Sequence, residues 1–322
     1  MATQTPARKL GGSSIEVTVI GFGAWAIGGN GWGKVDDSES IAAIQRSIDR
    51  GVNFVDTAPI YGLGRSEEVV GRALAGRRDK VVLATKCGYV WDGAGNARRD
   101  LTPASIRREV AASLKRLRTE VIDLYQVHWP DPDTPIAETF TTLAKLREEG
   151  LVREIGVCNF TLEQLREARK HAPLITFQPG YNLIDRGIEK EIVPWCQRSG
   201  VGITAYAPMA RGLLTGKFNK DATFADDDVR SHDPRFQGER FERLLAAVDV
   251  LRAEARRLGK TPGQVAIAWV IQRPGITLAI CGAKTAGQVE ENVRGAGWEL
   301  PADVADKLTA AFEPHAEFII RS

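Results

Sequence analysis

KVVLATK (residues 80–86), TPASIRREVAASLKRL (102–117) and VIDLYQVH (121–128) follow one another in the chain and decide its fold. The first and third segments are short, mostly apolar runs, which are typical of strands in a parallel sheet covered on both faces. The middle segment has a Thr-Pro start and continues with a helical pattern, which predicts a helix. Together they predict a strand–helix–strand unit with parallel strands.

The same alternation extends in both directions along the chain. Eight apolar runs predict strands, most with a helix behind them: IEVTVIGFG (15–23), VNFVDT (52–57), KVVLATK (80–86), VIDLYQVH (121–128), VREIGVCN (152–159), LITFQ (174–178), VGITAYAP (201–208) and ITLAICG (276–282). Eight such units predict an α/β fold of the (β/α)8 TIM barrel type. Additional helices are predicted at 241–259 and 302–312, and a long functional loop follows the seventh strand, from Pro208 to about Arg240.

Composition places the chain among ordinary globular proteins. Of its 322 residues, 43% are hydrophobic and 26% charged, and no linker divides them, so residues 1–322 are expected to form a single domain. The net charge of +2, with both signs interspersed, indicates no nucleic-acid partner. No apolar run approaches the roughly 20 residues of a membrane helix, and the N-terminus lacks the apolar stretch of a signal peptide.

The cysteines point to a reduced, cytoplasmic protein without a structural metal. Cys87, Cys158, Cys196 and Cys281 are far apart and form no CxxC or Cys/His cluster. Large cytosolic chains rarely carry disulfides, so we expect four free thiols.

One motif is misleading. Gly21-Phe-Gly23-Ala-Trp-Ala26 matches the G-x-G-x-x-A fingerprint of Rossmann dinucleotide sites. That fingerprint requires a helix to begin within the motif, with its N-terminus facing the pyrophosphate. Here IGGNGWGKV (27–35) follows, and it has no helical period. We therefore interpret the segment as a loop at the barrel mouth, where glycine lets the backbone pass close to a ligand.

Four polar residues, Asp56, Tyr61, Lys86 and His128, lie at or just after predicted strand ends. The carboxyl ends of barrel strands converge on one face, and that face holds the active site. Taken singly, each residue is more readily explained by a structural role, such as a turn cap. Their joint placement at successive strand ends favours catalysis. A metal held by His128 and Asp56 is disfavoured, because no further histidine lies nearby and a lysine would repel the cation.

These four side chains predict an acid that protonates a carbonyl oxygen. The pKa of a free tyrosine, near ~10, is high for proton donation at neutral pH, and the Lys86 ammonium is expected to lower that of Tyr61. Asp56 is expected to pair with Lys86 and so compensate its buried charge. His128 is expected to donate a hydrogen bond to the substrate oxygen. The sequence therefore predicts a carbonyl-reducing enzyme.

The chain resembles the aldo-keto reductase superfamily over nearly its whole length, and most of all the bacterial members that act on sugars and small aldehydes. The matching stretches include GVNFVDTAPIYGLGRSEEVVGRAL (51–74), SLKRLRTEVIDLYQVHWPD (113–131), IGVCNF (155–160), AYAPMARGLLTGK (205–217) and CGAKTAGQVEENV (281–293). The resemblance implies a barrel that binds NADP(H), with NAD(H) possible, in extended form, and a small carbonyl or sugar substrate. It places Asp56, Tyr61, Lys86 and His128 on the catalytic tetrad, with Tyr61 as general acid.

The resemblance also implies a cofactor site along the barrel mouth. Asn159 and Gln178 fall on the residues that hold the nicotinamide carboxamide, and Tyr206 on the aromatic that stacks under the ring. The loop from Ala207 to Lys217 falls on the pyrophosphate site, and the segment after the last strand on the adenosine site. The implied cofactor-binding set is Trp25, Asp56, Cys158, Asn159, Gln178, Tyr206, Ala207, Pro208, Met209, Gly212, Leu213, Lys217, Gly282, Lys284, Gln288, Glu291 and Asn292.

The chain departs from the family pattern at two positions. Cys158 stands where many members carry serine or threonine, which weakens one expected hydrogen bond to the carboxamide. Gln288 stands where many carry the arginine that holds the adenosine 2′-phosphate. Lys284 is expected to replace it as a point charge, which keeps NADP(H) as the preferred cofactor.

The substrate pocket is expected to be aromatic. Trp32, Trp91 and Trp129 lie in predicted mouth loops or at a strand end, beside Tyr61. No cluster of arginine or lysine indicates a dedicated site for a carboxylate or phosphate group of the substrate, and Arg211 and Arg230 are the exceptions to consider. The alternative function is a non-enzymatic nicotinamide-sensing subunit resembling potassium-channel β subunits. It is disfavoured because only about 15 residues precede the first strand, which leaves no extension for gating.

Overall fold

The computed structural model of the protein describes residues 5–316. Its strands are β1 (Ala7–Lys9), β2 (Glu16–Thr18), β3 (Ile20–Gly23), β4 (Phe54–Asp56), β5 (Val82–Cys87), β6 (Tyr89–Trp91), β7 (Ala97–Arg99), β8 (Ile122–Val127), β9 (Val152–Cys158), β10 (Leu174–Gln178), β11 (Gly202–Tyr206) and β12 (Ile276–Gly282). Eight of them, β3, β4, β5 and β8 to β12, are parallel neighbours in chain order and close a barrel. The predicted TIM barrel is confirmed.

Two antiparallel hairpins are added to the barrel, β1–β2 and β6–β7. The first predicted strand, 15–23, is therefore divided between the hairpin strand β2 and the barrel strand β3. After β3 the chain forms a short 3-10 turn, Ala26–Gly28, rather than an α-helix. The Rossmann interpretation of Gly21–Ala26 is thereby excluded.

The α-helices of the described residues surround the barrel. They are α1 (Asp37–Asp49), α2 (Arg65–Ala73), α3 (Pro103–Leu117), α4 (Ile136–Glu148), α5 (Leu162–His171), α6 (Ile192–Ser199), α7 (Gly238–Arg257), α8 (Pro262–Ile271), α9 (Ala286–Val293) and α10 (Ala302–Phe312). Thr102 caps α3 and Pro103 occupies its first turn, as predicted. The cap of α1 is Asp36, whose carboxylate accepts the backbone N–H groups of Ser38 and Glu39.

Helix α8 was missed by the sequence analysis. Nine of its ten residues are buried, so it presents no polar face and carries no amphipathic signal. The predicted long loop is present between β11 and α7, and it contains two short 3-10 segments, Ala210–Thr215 and Pro234–Phe236.

The barrel interior is apolar at its amino-terminal end. Leu10, which follows β1, and Val17 of β2 are fully buried there, in one cluster with Phe54, Leu124 and Leu278 from the barrel strands. The hairpin β1–β2 thus seals this end of the barrel. The polar side chains of the site, among them Asp56, Lys86 and Gln178, are buried near the carboxyl ends of the strands.

Three further observations concern the whole described part of the chain. Cys87, Cys158, Cys196 and Cys281 are buried free thiols, as expected. Residues 5–316 contain no cluster of three metal-ligating side chains. Within the same range, no helix is long and apolar enough to cross a membrane.

Candidate active site

A buried ion pair lies at the carboxyl ends of β4 and β5. The Nζ of Lys86 donates to Oδ2 of Asp56 at 2.7 Å and to the carbonyl oxygen of Thr57 at 2.8 Å, and the lysine side chain is fully buried. Burial by itself lowers the pKa of Lys86, but the adjacent Asp56 carboxylate, together with Tyr61, more than offsets burial and raises it. Lys86 is therefore a permanent cation at the centre of the site, as the sequence predicted.

Tyr61 lies in the loop after β4, directly over this cation. The Lys86 Nζ is 5.0 Å from the centre of the phenol ring. Burial raises the pKa of Tyr61 above its ordinary value, while Lys86 acts in the opposite direction. The predicted net lowering of this pKa is therefore wrong in sign, because loss of hydration exceeds the effect of the ammonium. Tyr61 holds its proton at neutral pH, and Lys86 stabilises the phenolate that forms when the proton leaves.

His128 follows β8 and faces the same ring. The imidazole packs edge-on against Tyr61, with ring centres 5.6 Å apart, and Tyr89 of β6 packs against it in the same way at 5.5 Å. Burial, and then the Lys86 cation, hold the pKa of His128 well below its ordinary value. A neutral imidazole offers one N–H donor, as the predicted role requires.

The sequence analysis missed Tyr89 and the residue that supports its position, Glu109. Both carboxylate oxygens of Glu109 accept the backbone N–H of Gly88, at 3.0 and 3.1 Å, in the turn between β5 and β6. Burial raises the pKa of Glu109 to about 8, against the backbone hydrogen bonds that lower it. The helical period of α3 places Glu109 on the buried face with Ile106 and Val110, and this signal could have identified it.

Gln126 was also missed. It is fully buried on β8, two residues before His128. Its Nε2 donates to Oδ1 of Asp56 at 3.3 Å, and the Nε2 of Gln178 donates to the same oxygen at 2.9 Å. Strand alternation from His128 would have placed Gln126 on the interior face.

Asn159 joins three of the strand ends. Its backbone is left-handed, with φ +59°, and its Nδ2 donates to the carbonyl oxygen of His128 at 3.1 Å. Its Oδ1 accepts the hydroxyl of Tyr206 at 3.0 Å. The neighbouring Cys158 is buried, and burial raises the pKa of its thiol, so it remains neutral. The structure therefore brings Asn159, Tyr206 and Gln178 together with the tetrad.

The loop after β11 has an unusual backbone. Ala207, Ala210 and Arg211 are left-handed, with φ of +52°, +47° and +55°, and Gly212 continues at +92°. Loops rich in such turns are typical of anion-binding concavities. Within this loop the N–H of Ala210 donates to the carbonyl oxygen of Ala207 at 2.9 Å. Pro208, Met209 and Leu213 lie in the same loop, and the carbonyl oxygen of Met209 accepts the N–H of Gly212 at 2.9 Å.

The same loop reaches across the mouth to the glycine-rich segment after β3. The N–H of Val229 donates to the carbonyl oxygen of Gly31 at 2.9 Å. The guanidinium of Arg211 lies 5.4 Å from the ring centre of Trp25, and that of Arg230 lies 5.8 Å from Trp32.

Cations converge beside this crossing. The Nζ of Lys284, after β12, donates to the carbonyl oxygen of Trp32 at 3.0 Å. Partial desolvation, and then the neighbouring Arg230 and Lys284, lower the pKa of Lys217. Asp228 pairs with Arg230 and leaves an excess of positive charge in the cluster.

The predicted adenosine residues divide into two groups. Glu291 accepts from Thr261 and from Nε2 of Gln264, and Asn292 donates to the carbonyl oxygen of Gly282 at 3.1 Å, so both side chains hold α9 in place. Gln288 is exposed at the edge, where its Oε1 accepts the backbone N–H of Lys284 at 2.7 Å.

Of the four tryptophans predicted near the barrel mouth, Trp25 is in ring contact with Tyr61 of the tetrad. Trp25 and Trp32 pack edge-to-face with ring centres 5.1 Å apart, and Trp25 lies 6.3 Å from Tyr61. The indole N–H of Trp32 is buried and has no hydrogen-bond partner among residues 5–316. Trp129 lies under the guanidinium of Arg99 at 5.6 Å, and Trp91 ends β6 of the mouth hairpin.

Comparison with known proteins gives a consistent result. Residues 19–313 match the model of the aldo/keto reductase family. The aldo-keto reductase YhdN of Bacillus subtilis is 44% identical over 94% of this chain and 92% of its own length. The NADH-specific methylglyoxal reductase of Escherichia coli is 36% identical over 88% and 91%.

Solved structures of the same type superpose closely. The glycerol dehydrogenase AKR11B4 from Gluconobacter oxydans has a TM-score of 0.90 and 42% identity, covering 98% of this chain and 97% of its own. An aldo/keto reductase from Klebsiella pneumoniae, in complex with NADP and acetate, has a TM-score of 0.75 and 30% identity, covering 96% and 98%.

Proposed function

The chain belongs to the aldo/keto reductase family and is an oxidoreductase that acts on carbonyl compounds with a nicotinamide cofactor; we propose that it reduces aldehydes or ketones with NADPH, with Tyr61 as the proton donor. The observation that carries the proposal is the position of the Tyr61 phenol over the buried Lys86–Asp56 pair. The reaction is reversible, and in the oxidative direction Tyr61 accepts the proton of the alcohol.

Each residue of the tetrad has one task in this mechanism. His128 is neutral and donates its N–H to the carbonyl oxygen, which orients the substrate. Tyr61 transfers its proton to the same oxygen. Lys86 faces the phenolate that results, and Asp56 keeps Lys86 in place. Bound NADPH supplies the hydride that reduces the carbonyl carbon.

The residues present fit a dinucleotide. The loop from Ala207 to Gly212, which contains several left-handed residues, suits its phosphates. The cations Lys217, Arg230 and Lys284 lie beside it. Asn159 and Gln178 would hold the carboxamide, and Tyr206 the face of the ring. The NADP complex of the Klebsiella relative supports the phosphorylated cofactor. The methylglyoxal reductase relative is described as NADH-specific, so the preference requires measurement.

The substrate we propose is a small carbonyl compound or sugar. Aromatic side chains line the site: Trp25 lies beside Tyr61, Trp32 packs against Trp25, and Tyr89 packs against His128. Trp91 and Trp129 lie farther along the mouth of the barrel. Related proteins are described as acting on methylglyoxal and glycerol, and both compounds are of the expected size. A screen of methylglyoxal, glyceraldehyde, aldoses and aromatic aldehydes with each cofactor would identify the preferred substrate.

Replacement of Tyr61 by phenylalanine tests the central assignment. We expect kcat to fall by roughly 10²-fold or more, because the proton donor is lost. Cofactor affinity, measured by quenching of tryptophan fluorescence, is expected to stay within about twofold, because the ring is retained. A variant that kept more than about a tenth of the wild-type kcat would contradict the role of Tyr61. A complete absence of turnover in the wild type would instead favour the nicotinamide-sensing alternative.

A further inference from the structure

Gln126 is a buried polar residue in direct contact with the tetrad. Its side chain is fully buried on the interior face of β8. Both ends of its amide are used: Nε2 donates to Oδ1 of Asp56 at 3.3 Å, and Oε1 accepts Nε2 of Gln178 at 3.3 Å. Gln126, Gln178 and Asp56 therefore form a closed triangle of hydrogen bonds inside the barrel.

The triangle supplies hydrogen bonds to Oδ1 of Asp56, the carboxylate oxygen to which Lys86 does not donate. Lys86 occupies Oδ2, and Asp56 is only 4% exposed, so water cannot solvate Oδ1 freely. A buried carboxylate oxygen without donors is costly and favours rotation or protonation of the group. Gln178 and Gln126 supply the two donors to this oxygen.

The same amide also determines how Gln178 is oriented. Oε1 of Gln126 and Oδ1 of Asp56 are both acceptors, so the end of the Gln178 amide that faces them must be its Nε2 donor. A residue at position 126 without an acceptor would leave the Gln178 amide held by Asp56 alone. The orientation of one amide thus links the acid machinery to the carboxamide side of the site.

We infer that Gln126 is a positioning residue for carbonyl reduction: it fixes the ionised Asp56 carboxylate, so that the Lys86 ammonium stays beneath Tyr61. This inference rests on the proposed role of Tyr61 as the acid. Gln126 acts on Tyr61 through Asp56 and Lys86.

Two substitutions separate positioning from packing. Gln126→Met keeps the length of the side chain and removes both hydrogen-bonding ends. Gln126→Glu keeps the shape and places a second carboxyl beside Asp56. Thr176→Val is the matched control, because Thr176 is a buried hydroxyl on the same face of β10 as Gln178 and makes no hydrogen bond through its Oγ1 within the described chain. Activity should be measured from about pH 5 to pH 9 at saturating NADPH.

In Gln126→Met we expect kcat to fall about tenfold, the order expected for a lost hydrogen bond to a charged group. In Gln126→Glu we expect activity to be restored as the pH falls, because the introduced carboxyl donates to Asp56 when it is protonated and repels Asp56 when it is ionised. Thr176→Val should retain the wild-type kcat and profile.

The inference is overturned if Gln126→Met keeps kcat within about twofold of wild type. It is equally overturned if Thr176→Val loses as much activity, since the loss would then reflect general disturbance of the interior. If Gln126→Met does not fold by circular dichroism, the direction of the pH dependence in Gln126→Glu decides alone. Tyr61→Phe in the same assay tests the proposed function: if that variant stays active, the proposed function fails whatever the Gln126 variants do.

Discussion

The ammonium of Lys86 lies 5.0 Å from the centre of the Tyr61 ring, beneath the phenol that would give up its proton. Burial holds the proton on Tyr61, and the cation stabilises the anion that forms when the proton leaves. In the mechanism we propose, Tyr61 is therefore protonated at neutral pH, and the Lys86 ammonium lowers the free energy of the phenolate that forms during the reaction.

Lys86→Met removes the cation. We expect kcat to fall by roughly 10²-fold or more, because the phenolate loses its stabilising charge. We also expect the free energy of unfolding to fall by about 3–5 kcal/mol, because the Asp56 carboxylate is left buried and unpaired. Urea denaturation and steady-state kinetics measure the two effects. The double variant Lys86→Met/Asp56→Asn should recover stability without recovering activity; joint recovery of both would refute the catalytic role of Lys86.

The pH dependence of reduction should be flat around neutrality. The pKa of His128 lies well below its ordinary value and that of Tyr61 above its own, so neither group changes its proton between about pH 6 and pH 9. The profile of kcat, measured with saturating cofactor and substrate, checks this. A break near pH 6.5 that vanishes in His128→Gln would show that the histidine titrates in the working range.

Glu109 should make the protein less stable as the pH rises. Its pKa in the folded protein is about 8, above the ordinary 4.5, so the folded state binds the proton more tightly than the unfolded state. The stabilisation is complete below about pH 4.5 and is lost as the pH rises through about 8. Thermal unfolding of wild type and Glu109→Gln, compared across this window, measures it. We expect the decline to be shallower in the variant, and parallel curves would contradict the prediction.

Gly31→Ala should weaken cofactor binding. A Cβ at this position would come within 2.2 Å of the Cγ1 of Val229, so the loop after β11 could not keep its contact across the mouth. Gly33→Ala is the matched control, because Gly33 has a similar φ, +69° against +75°, with no atom within 4 Å of the added carbon. We expect NADPH to dissociate several times faster from Gly31→Ala, as measured by stopped-flow fluorescence. Equal rates in the two variants would assign the effect to backbone strain.

Lys284→Met should discriminate between the two cofactors. If Lys284 supplies a charge to the 2′-phosphate, the affinity for NADPH should fall by about tenfold and that for NADH by less than twofold. Titration of each cofactor by fluorescence measures the ratio. Equal losses would show that Lys284 acts only through its hydrogen bond to the carbonyl oxygen of Trp32.

Most of the fold was predictable because the barrel strands are apolar runs and the helices between them are amphipathic. Helix α8 was not, since burial on all sides removes the period on which such predictions depend. The positions of Asp56, Lys86 and His128 followed from strand ends alone. The sequence did not predict the net direction of the Tyr61 pKa shift, because the loss of hydration depends on how tightly the neighbouring loops pack. Glu109 and Gln126 were missed because their roles depend on partners that lie far away in the sequence.

The closed amino-terminal end of the barrel has a kinetic consequence. Leu10 and Val17 close the amino-terminal end of the barrel. The cofactor and the substrate must therefore both enter and leave through the opening at the carboxyl ends of the strands. We expect a compulsory order, in which the dinucleotide arrives first and departs last. In an engineered variant, a faster chemical step would then raise kcat little unless the oxidised dinucleotide also dissociated faster.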